Sequence, residues 1–169
     1  MISDRPAEVE DRAVPGHWEG DLILGEQGRS AVGTLVERTT RLVSLLHLEQ
    51  GRAADSVDAA MRKAITDLPN ELRRSITWDE GAEMANHADS TVATGVPIYF
   101  CDPHSPWQRG SNENTKGLIR QYLPKSTDLS THSAEELLAI QTSLNNRPRK
   151  SLDYLTPSEA YTQVLATTA

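Results

Sequence analysis

The sequence predicts an α/β fold: a five-stranded mixed sheet flanked by helices, with further helices at the C-terminus. Three observations carry this. Three short apolar runs separated by turn signals fill residues 17–48, the pattern of an antiparallel meander. The hydrophobic period then switches to that of an amphipathic helix over residues 53–68. After that, strand-like and helix-like stretches alternate, which requires parallel strands joined through crossover helices.

The elements follow in order. Residues 1–14 are polar and aperiodic, and read as an arm or linker ahead of one folded unit over 15–169. The run His17-Trp18-Glu19-Gly20-Asp21-Leu22-Ile23-Leu24 is the first strand. With period two, Glu19, Asp21 and Ile23 share one face, and Trp18, Leu22 and Leu24 the other. A turn over 25–28 leads to a second strand over 30–38 and, after Thr39-Thr40-Arg41, a third over 42–48. Val57, Met61, Ala64, Ile65 and Leu68 mark the buried stripe of the next helix, which Pro69 closes. Residues 75–78 form a fourth strand. A helix over 83–94 ends at Gly95, its C′ residue, and residues 96–101 form a fifth strand.

A Pro-punctuated loop after Cys101 then enters a helix that carries Glu113 near its start. Lys116, Gly117 and Arg120 follow at i+3, i+4 and i+7 on its face. Leu118, Ile119, Tyr122 and Leu123 lie mostly on the other side. Ser133-Ala134-Glu135-Glu136 and Thr156-Pro157-Ser158-Glu159 are capping boxes that start the last two helices. Between those helices lies the basic loop Asn145-Asn146-Arg147-Pro148-Arg149-Lys150.

Composition narrows the function. A single Phe and 37% hydrophobic residues imply an aliphatic, Ala-rich core. There is no apolar run of membrane-spanning length and no signal-peptide pattern at the N-terminus. The lone Cys101 excludes an internal disulfide and fits a reducing, cytosolic setting. A net charge of −7 argues against a generic nucleic-acid coat. The distribution is uneven, however. Residues 1–108 hold 10 Lys/Arg against 18 Asp/Glu, whereas residues 109–150 hold 7 against 4. A basic strip on an acidic body binds a polyanion on one face.

Three carboxylates sit where such a sheet collects ligands: Asp21 in the first strand, Asp79 directly after the fourth, and Glu113 at the start of the helix after the fifth. If they converge, their repulsion calls for a hard divalent cation with oxygen ligands, and two such cations make a phosphoryl-transfer site. Two of these acids also have an ordinary reading, whereas Asp21, an acid in an apolar strand, needs a reason. Asp79 caps the next helix, and Glu113 pairs with Lys116. Glu19 competes with Asp21 for the strand position, and Asp102 with Glu113 for the third. Trp18, Trp78 and Trp107 each lie near one acid, as walls of a dry site or as stacking surfaces for bases. The five histidines show no metal-ligand spacing, and there is no Gly-rich phosphate loop or Ser/His/Asp set, which sets aside zinc hydrolases and P-loop enzymes.

Residues 15–23, Trp78-Asp79-Glu80-Gly81-Ala82-Glu83-Met84 and the segment 101–114 resemble the integrase core of bacterial insertion-sequence transposases, most closely the insertion-sequence-thirty group. Asn146-Arg147-Pro148-Arg149-Lys150-Ser151-Leu152 and Leu155-Thr156-Pro157-Ser158-Glu159 resemble that group's C-terminal end. The resemblance implies a ribonuclease-H-like fold and an Asp-Asp-Glu triad. The matching positions are Asp21, Asp79 and Glu113, with 33 residues between the last two. It therefore favours Asp21 over Glu19 and Glu113 over Asp102. It implies two Mg²⁺ or Mn²⁺ ions with DNA bound, cleavage of transposon ends, strand transfer by the freed 3′-hydroxyl, a homo-oligomer when active, and a place in the bacterial cytoplasm at the nucleoid. Arg109, Lys116, Arg120, Lys125, Arg147, Arg149 and Lys150 are the expected phosphate contacts. The group's N-terminal helix-turn-helix region has no counterpart here, so residues 1–14 match an inter-domain linker and the chain reads as an excised core. Two other functions share the fold: a catalytically silent DNA-binding or dimerisation module, and a ribonuclease-H-like nuclease without strand transfer.

Overall fold

The structure, a computed structural model, describes residues 14–48, 54–78, 94–100 and 110–168. Strands β1 (His17–Leu24), β2 (Ala31–Glu37), β3 (Val43–Leu46), β4 (Ser75–Trp78) and β5 (Ile98–Phe100) form one sheet in the order β3-β2-β1-β4-β5. β1 pairs antiparallel with β2, and β2 with β3; β4 joins β1 in parallel, and β5 joins β4 in parallel. This is the meander with parallel additions that the sequence implies. The helices are α1 (Ala54–Thr66), α2 (Gly110–Ile119), α3 (Ala134–Asn145) and α4 (Pro157–Thr168). Strands two, three and five are shorter than expected. β5 starts only after Pro97, which has no N–H to give a ladder, although its carbonyl accepts from Ile76 N at 3.0 Å.

Of the helix expected over 83–94, only its end is described: Thr94 is helical and Gly95 has φ +73°, as a C′ glycine requires. The N-cap bond forms at both capping boxes, and at the second it is reciprocated. Ser133 Oγ accepts from Glu136 N at 3.1 Å. Thr156 Oγ1 accepts from Glu159 N at 3.0 Å while Glu159 Oε1 accepts from Thr156 N at 2.9 Å.

Alternation along the strands divides the apolar side chains into two cores, one on each face of the sheet. On one face Trp18, Leu22, Leu35, Ile76 and Trp78 pack with Val57, Met61 and Ile65 of α1. On the other, Ile23, Val32, Val36 and Val43 pack with Ile119 and Leu123 at the end of α2, and with Leu137 and Leu144 of α3. α3 also closes the sheet edge. Asn145 Oδ1 accepts from Val43 N and its Nδ2 donates to Val43 O, both at 2.9 Å, and Gln141 Oε1 accepts from Leu45 N at 2.9 Å. Side-chain amides thus occupy the place of a neighbouring strand.

One contact fixes how β4 lies against β1. Gly20 and Trp78 are partners in the parallel register, and the indole of Trp78 lies across the glycine. A Cβ built on Gly20 would fall 1.9 Å from Trp78 Cε3. Trp78 is fully buried, so its ring has nowhere cheap to go. Gly20→Ala is expected to lower stability by about 1–3 kcal/mol through overpacking. Urea denaturation followed by tryptophan fluorescence measures this, and an unchanged midpoint would contradict the contact.

Glu37, at the end of β2, is a buried carboxylate with a structural task. Its oxygens accept from Thr39 N at 2.8 Å and Thr40 N at 2.9 Å, holding the β2–β3 turn. Burial raises its pKa above 4.5, only partly offset by backbone bonds from Thr39, Thr40 and Gly16. The folded chain therefore keeps a proton that the unfolded chain has released. The stability Glu37 contributes is fully present below the ordinary carboxylate pKa and is lost as pH rises through the raised one. Relative to Glu37→Gln, the unmutated chain should lose stability as pH rises from about 4.5 toward neutrality. A stability difference that stays constant over that range would show that Glu37 does not titrate this way.

Candidate active site

Asp21 lies one residue past Gly20, the partner of Trp78, where the described part of β4 ends. β1 runs on to Leu24 beside β2. At this step the central strand carries a carboxylate. Asp21 belongs to the face of the sheet that holds Ile23, the face covered by α2 and α3. Its Oδ1 accepts from Leu22 N at 2.8 Å, and its carbonyl accepts from Thr34 Oγ1 of β2 at 3.3 Å. The side chain is 14% exposed, so it is held yet reachable.

α2 brings the basic strip to this carboxylate. Lys116 Nζ stands 3.4 Å from Asp21 Oδ2. Sequence reasoning assigned Lys116 to phosphate; here it faces the acid. Its neighbours Thr115 and Ile119 are buried and fix the helix to the sheet. Glu113 lies in α2 one turn before Lys116, and only its backbone is described. Asp79, Asp102, Trp107 and Arg109 lie outside the described residues. Among the described residues no group of three His, Cys, Asp or Glu side chains could hold a metal. Of the expected triad, only the side chain of Asp21 is described.

Glu19, the competing acid on the same strand, has a different occupation. It is fully buried and forms an ion pair with the buried Arg38 guanidinium. No sequence pattern announces this pair, because 19 residues separate its members. Removing the charge opposite a buried guanidinium is costly. Glu19→Gln should therefore cost about 3 kcal/mol, whereas Asp21→Asn, which keeps an oxygen for Leu22 N, should cost less than about 1 kcal/mol. Comparing their urea midpoints tests this, and equal losses would be the contrary result.

The tryptophan expectation is corrected for two of the three. Trp18 and Trp78 belong to the core on the α1 face, opposite Asp21. Trp18 Nε1 donates to Leu72 O at 3.0 Å. Strand alternation explains this: in β1, residues 18 and 21 have opposite parity.

The remaining basic residues fall into two groups. Arg120, just past the end of α2, donates from Nη1 to Leu123 O at 3.2 Å, and burial lowers its pKa. Arg147 Nη1 donates to Gln121 Oε1 at 3.0 Å, which ties the basic loop to the exit of α2. Arg149 is half-buried; burial and then the charge of Arg147 lower its pKa. Lys125 and Lys150 are exposed. A cavity of about 700 Å³ lies elsewhere, between β3, α1 and α3 and lined by Leu46, Ala60 and Leu138. It is at the sheet edge away from β4, so it does not belong to the site of Asp21.

Comparison with known proteins agrees with this arrangement. The chain is 56% identical over 98% of its length to a transposase for insertion sequence element IS1086 from Cupriavidus metallidurans, covering 48% of that protein. It is 48% identical over 99% of its length to the transposase InsI for insertion sequence element IS30C from Escherichia coli K12, covering 43% of it. The chain thus spans about half the length of the curated relatives it matches. Among solved structures, the catalytic core domain of BIV integrase superposes with a TM-score of 0.64 at 18% identity, over 90% of this chain and 97% of that one. That likeness shows the ribonuclease-H-like fold. The profile of the integrase core domain matches residues 11–106. With that match over more than half its length, and on the sheet order just described, the chain belongs to the integrase core domain family.

Proposed function

We propose that this chain is the catalytic core of an insertion-sequence transposase. It cuts phosphodiester bonds at transposon ends and joins the freed 3′-hydroxyl to target DNA. The observation that carries the reading is the β1–β4 register. Gly20 pairs with Trp78, and Asp21 and Asp79 are the next residues of two adjacent parallel chains. Glu113 on α2 comes one turn before the lysine that touches Asp21. Asp21, Asp79 and Glu113 are the proposed triad. Their donor set of carboxylate oxygens suits Mg²⁺ or Mn²⁺. The Lys116 ammonium 3.4 Å from Asp21 Oδ2 supports this reading, since a positive charge already sits beside that oxygen. Bound divalent ions would lower the pKa of the attacking water or hydroxyl and neutralise the leaving oxygen.

The chain's own residues supply position and counter-charge. Asp21 is anchored by the Leu22 amide and holds one side of the reacting centre. The basic loop, linked to α2 through Arg147 and Gln121, holds the DNA backbone through Arg147, Arg149 and Lys150. Lys125, which is exposed, and Arg109 are further phosphate contacts in this reading. Arg120, turned onto the Leu123 carbonyl, contributes positive potential and steadies the helix end. The DNA substrate, the assembly of several copies on paired ends, and a place at the bacterial nucleoid belong to this reading.

Asp79→Asn should abolish Mn²⁺-dependent nicking of supercoiled DNA while leaving the far-ultraviolet circular dichroism unchanged. Nicking at the unmutated rate by that variant would end the proposal. Supplying a pre-cut 3′-hydroxyl end with target DNA separates a transposase core from a plain nuclease. Joined product is expected, and hydrolysis alone would favour the nuclease.

A further inference from the structure

We infer that Lys116 is the site's internal counter-ion and gives up Asp21 when a divalent cation binds there. The inference rests on the function proposed above and adds a cation exchange to it.

The two ends of the pair differ in freedom. Asp21 is fixed: it sits in the central strand, its Oδ1 accepts from Leu22 N at 2.8 Å, and it is 14% exposed. Lys116 is 32% exposed and carries its ammonium on a flexible four-carbon stem. The next residue, Gly117, is exposed, and among the described residues no atom lies within 4 Å of a Cβ built there. A glycine inside a helix is less favourable than alanine. Here it leaves open space beside Lys116, into which the stem can swing while the helix stays in place on Thr115 and Ile119.

The ammonium and a divalent cation compete for one oxygen. With Nζ at 3.4 Å from Oδ2, an ion on that oxygen would meet a like charge at contact range. Without an ion, Lys116 relieves the charge of a mostly buried acid. With an ion, it must leave, and a phosphate of bound DNA is the natural anion for it to join. The exchange makes metal occupancy weak in the free chain and links it to DNA binding. Lys116 is thus a positioning residue whose neutralisation should strengthen metal binding and not weaken it.

Calorimetric titration of Mn²⁺ alone into the 169-residue chain tests this without reference to activity. Lys116→Gln and Lys116→Met should each bind Mn²⁺ about threefold more tightly than the unmutated chain, the scale of a partly exposed ion pair. Lys116→Arg, which keeps the charge, should bind as the unmutated chain does. Asp21→Asn should weaken binding in every background. Equal or weaker Mn²⁺ binding by both neutral variants, with the Asp21 dependence intact, overturns the exchange and leaves the active-site reading standing. Loss of any Asp21 dependence overturns both. Circular dichroism of each variant shows that the fold is kept, and two neutral variants guard against one being misfolded.

Discussion

The fold turns on the close approach of Trp78 to Gly20. β1 is the central strand, buried on both faces, and β4 can lie beside it in this register only if the indole fits over a residue without a side chain. That one contact sets which residues of the two parallel strands are neighbours. It also decides where the carboxylate face of β1 lies relative to β4. The core on the α1 face is packed against the same ring, so hydrophobic burial on one side of the sheet holds the register that the chemistry on the other side uses.

The central strand carries two acids of the same parity, and the structure gives them different work. Glu19 is fully enclosed and matched to a buried guanidinium, a pair whose geometry serves the fold. Asp21, two residues on, is part-exposed and faces a lysine on a helix that also carries Glu113. A carboxylate that is reachable is open to a ligand; one that is sealed is not. This distinction supports Asp21, rather than Glu19, as the acid of the proposed triad.

The basic strip behaves differently from a row of free cations. Lys116 is held at Asp21, Arg120 at a helix-end carbonyl, and Arg147 at Gln121, so three of the expected phosphate contacts have intramolecular partners. Such bonds are modest in water-exposed settings and yield to a polyanion that offers a charged oxygen in their place. They also pre-order the side chains, which would lower the entropy lost on binding the proposed DNA substrate.

Much of this protein was legible in its sequence. Short apolar runs between turn signals located the strands. The switch to a 3.6 period located α1, with Val57, Met61 and Ile65 on its buried side as expected. Short-range capping chemistry located α3 and α4 to the residue. These features depend on neighbours a few residues apart, and local sequence determines them. The pairing of Glu19 with Arg38, the reach of Lys116 to Asp21, and the closing of the β3 edge by Asn145 and Gln141 span 19 to 102 residues. No local pattern encodes them, because they arise only when the sheet order brings distant segments together. The tryptophans show that proximity along the chain misleads: the strand alternation read from the sequence already set Trp18 opposite Asp21, and the structure adds Trp78 to that same face. The sequence thus determined the elements and named the candidate acids. The tertiary structure decided which acid is sealed, which is exposed, and which cation stands beside it, since burial and charge pairing are properties of the packed chain.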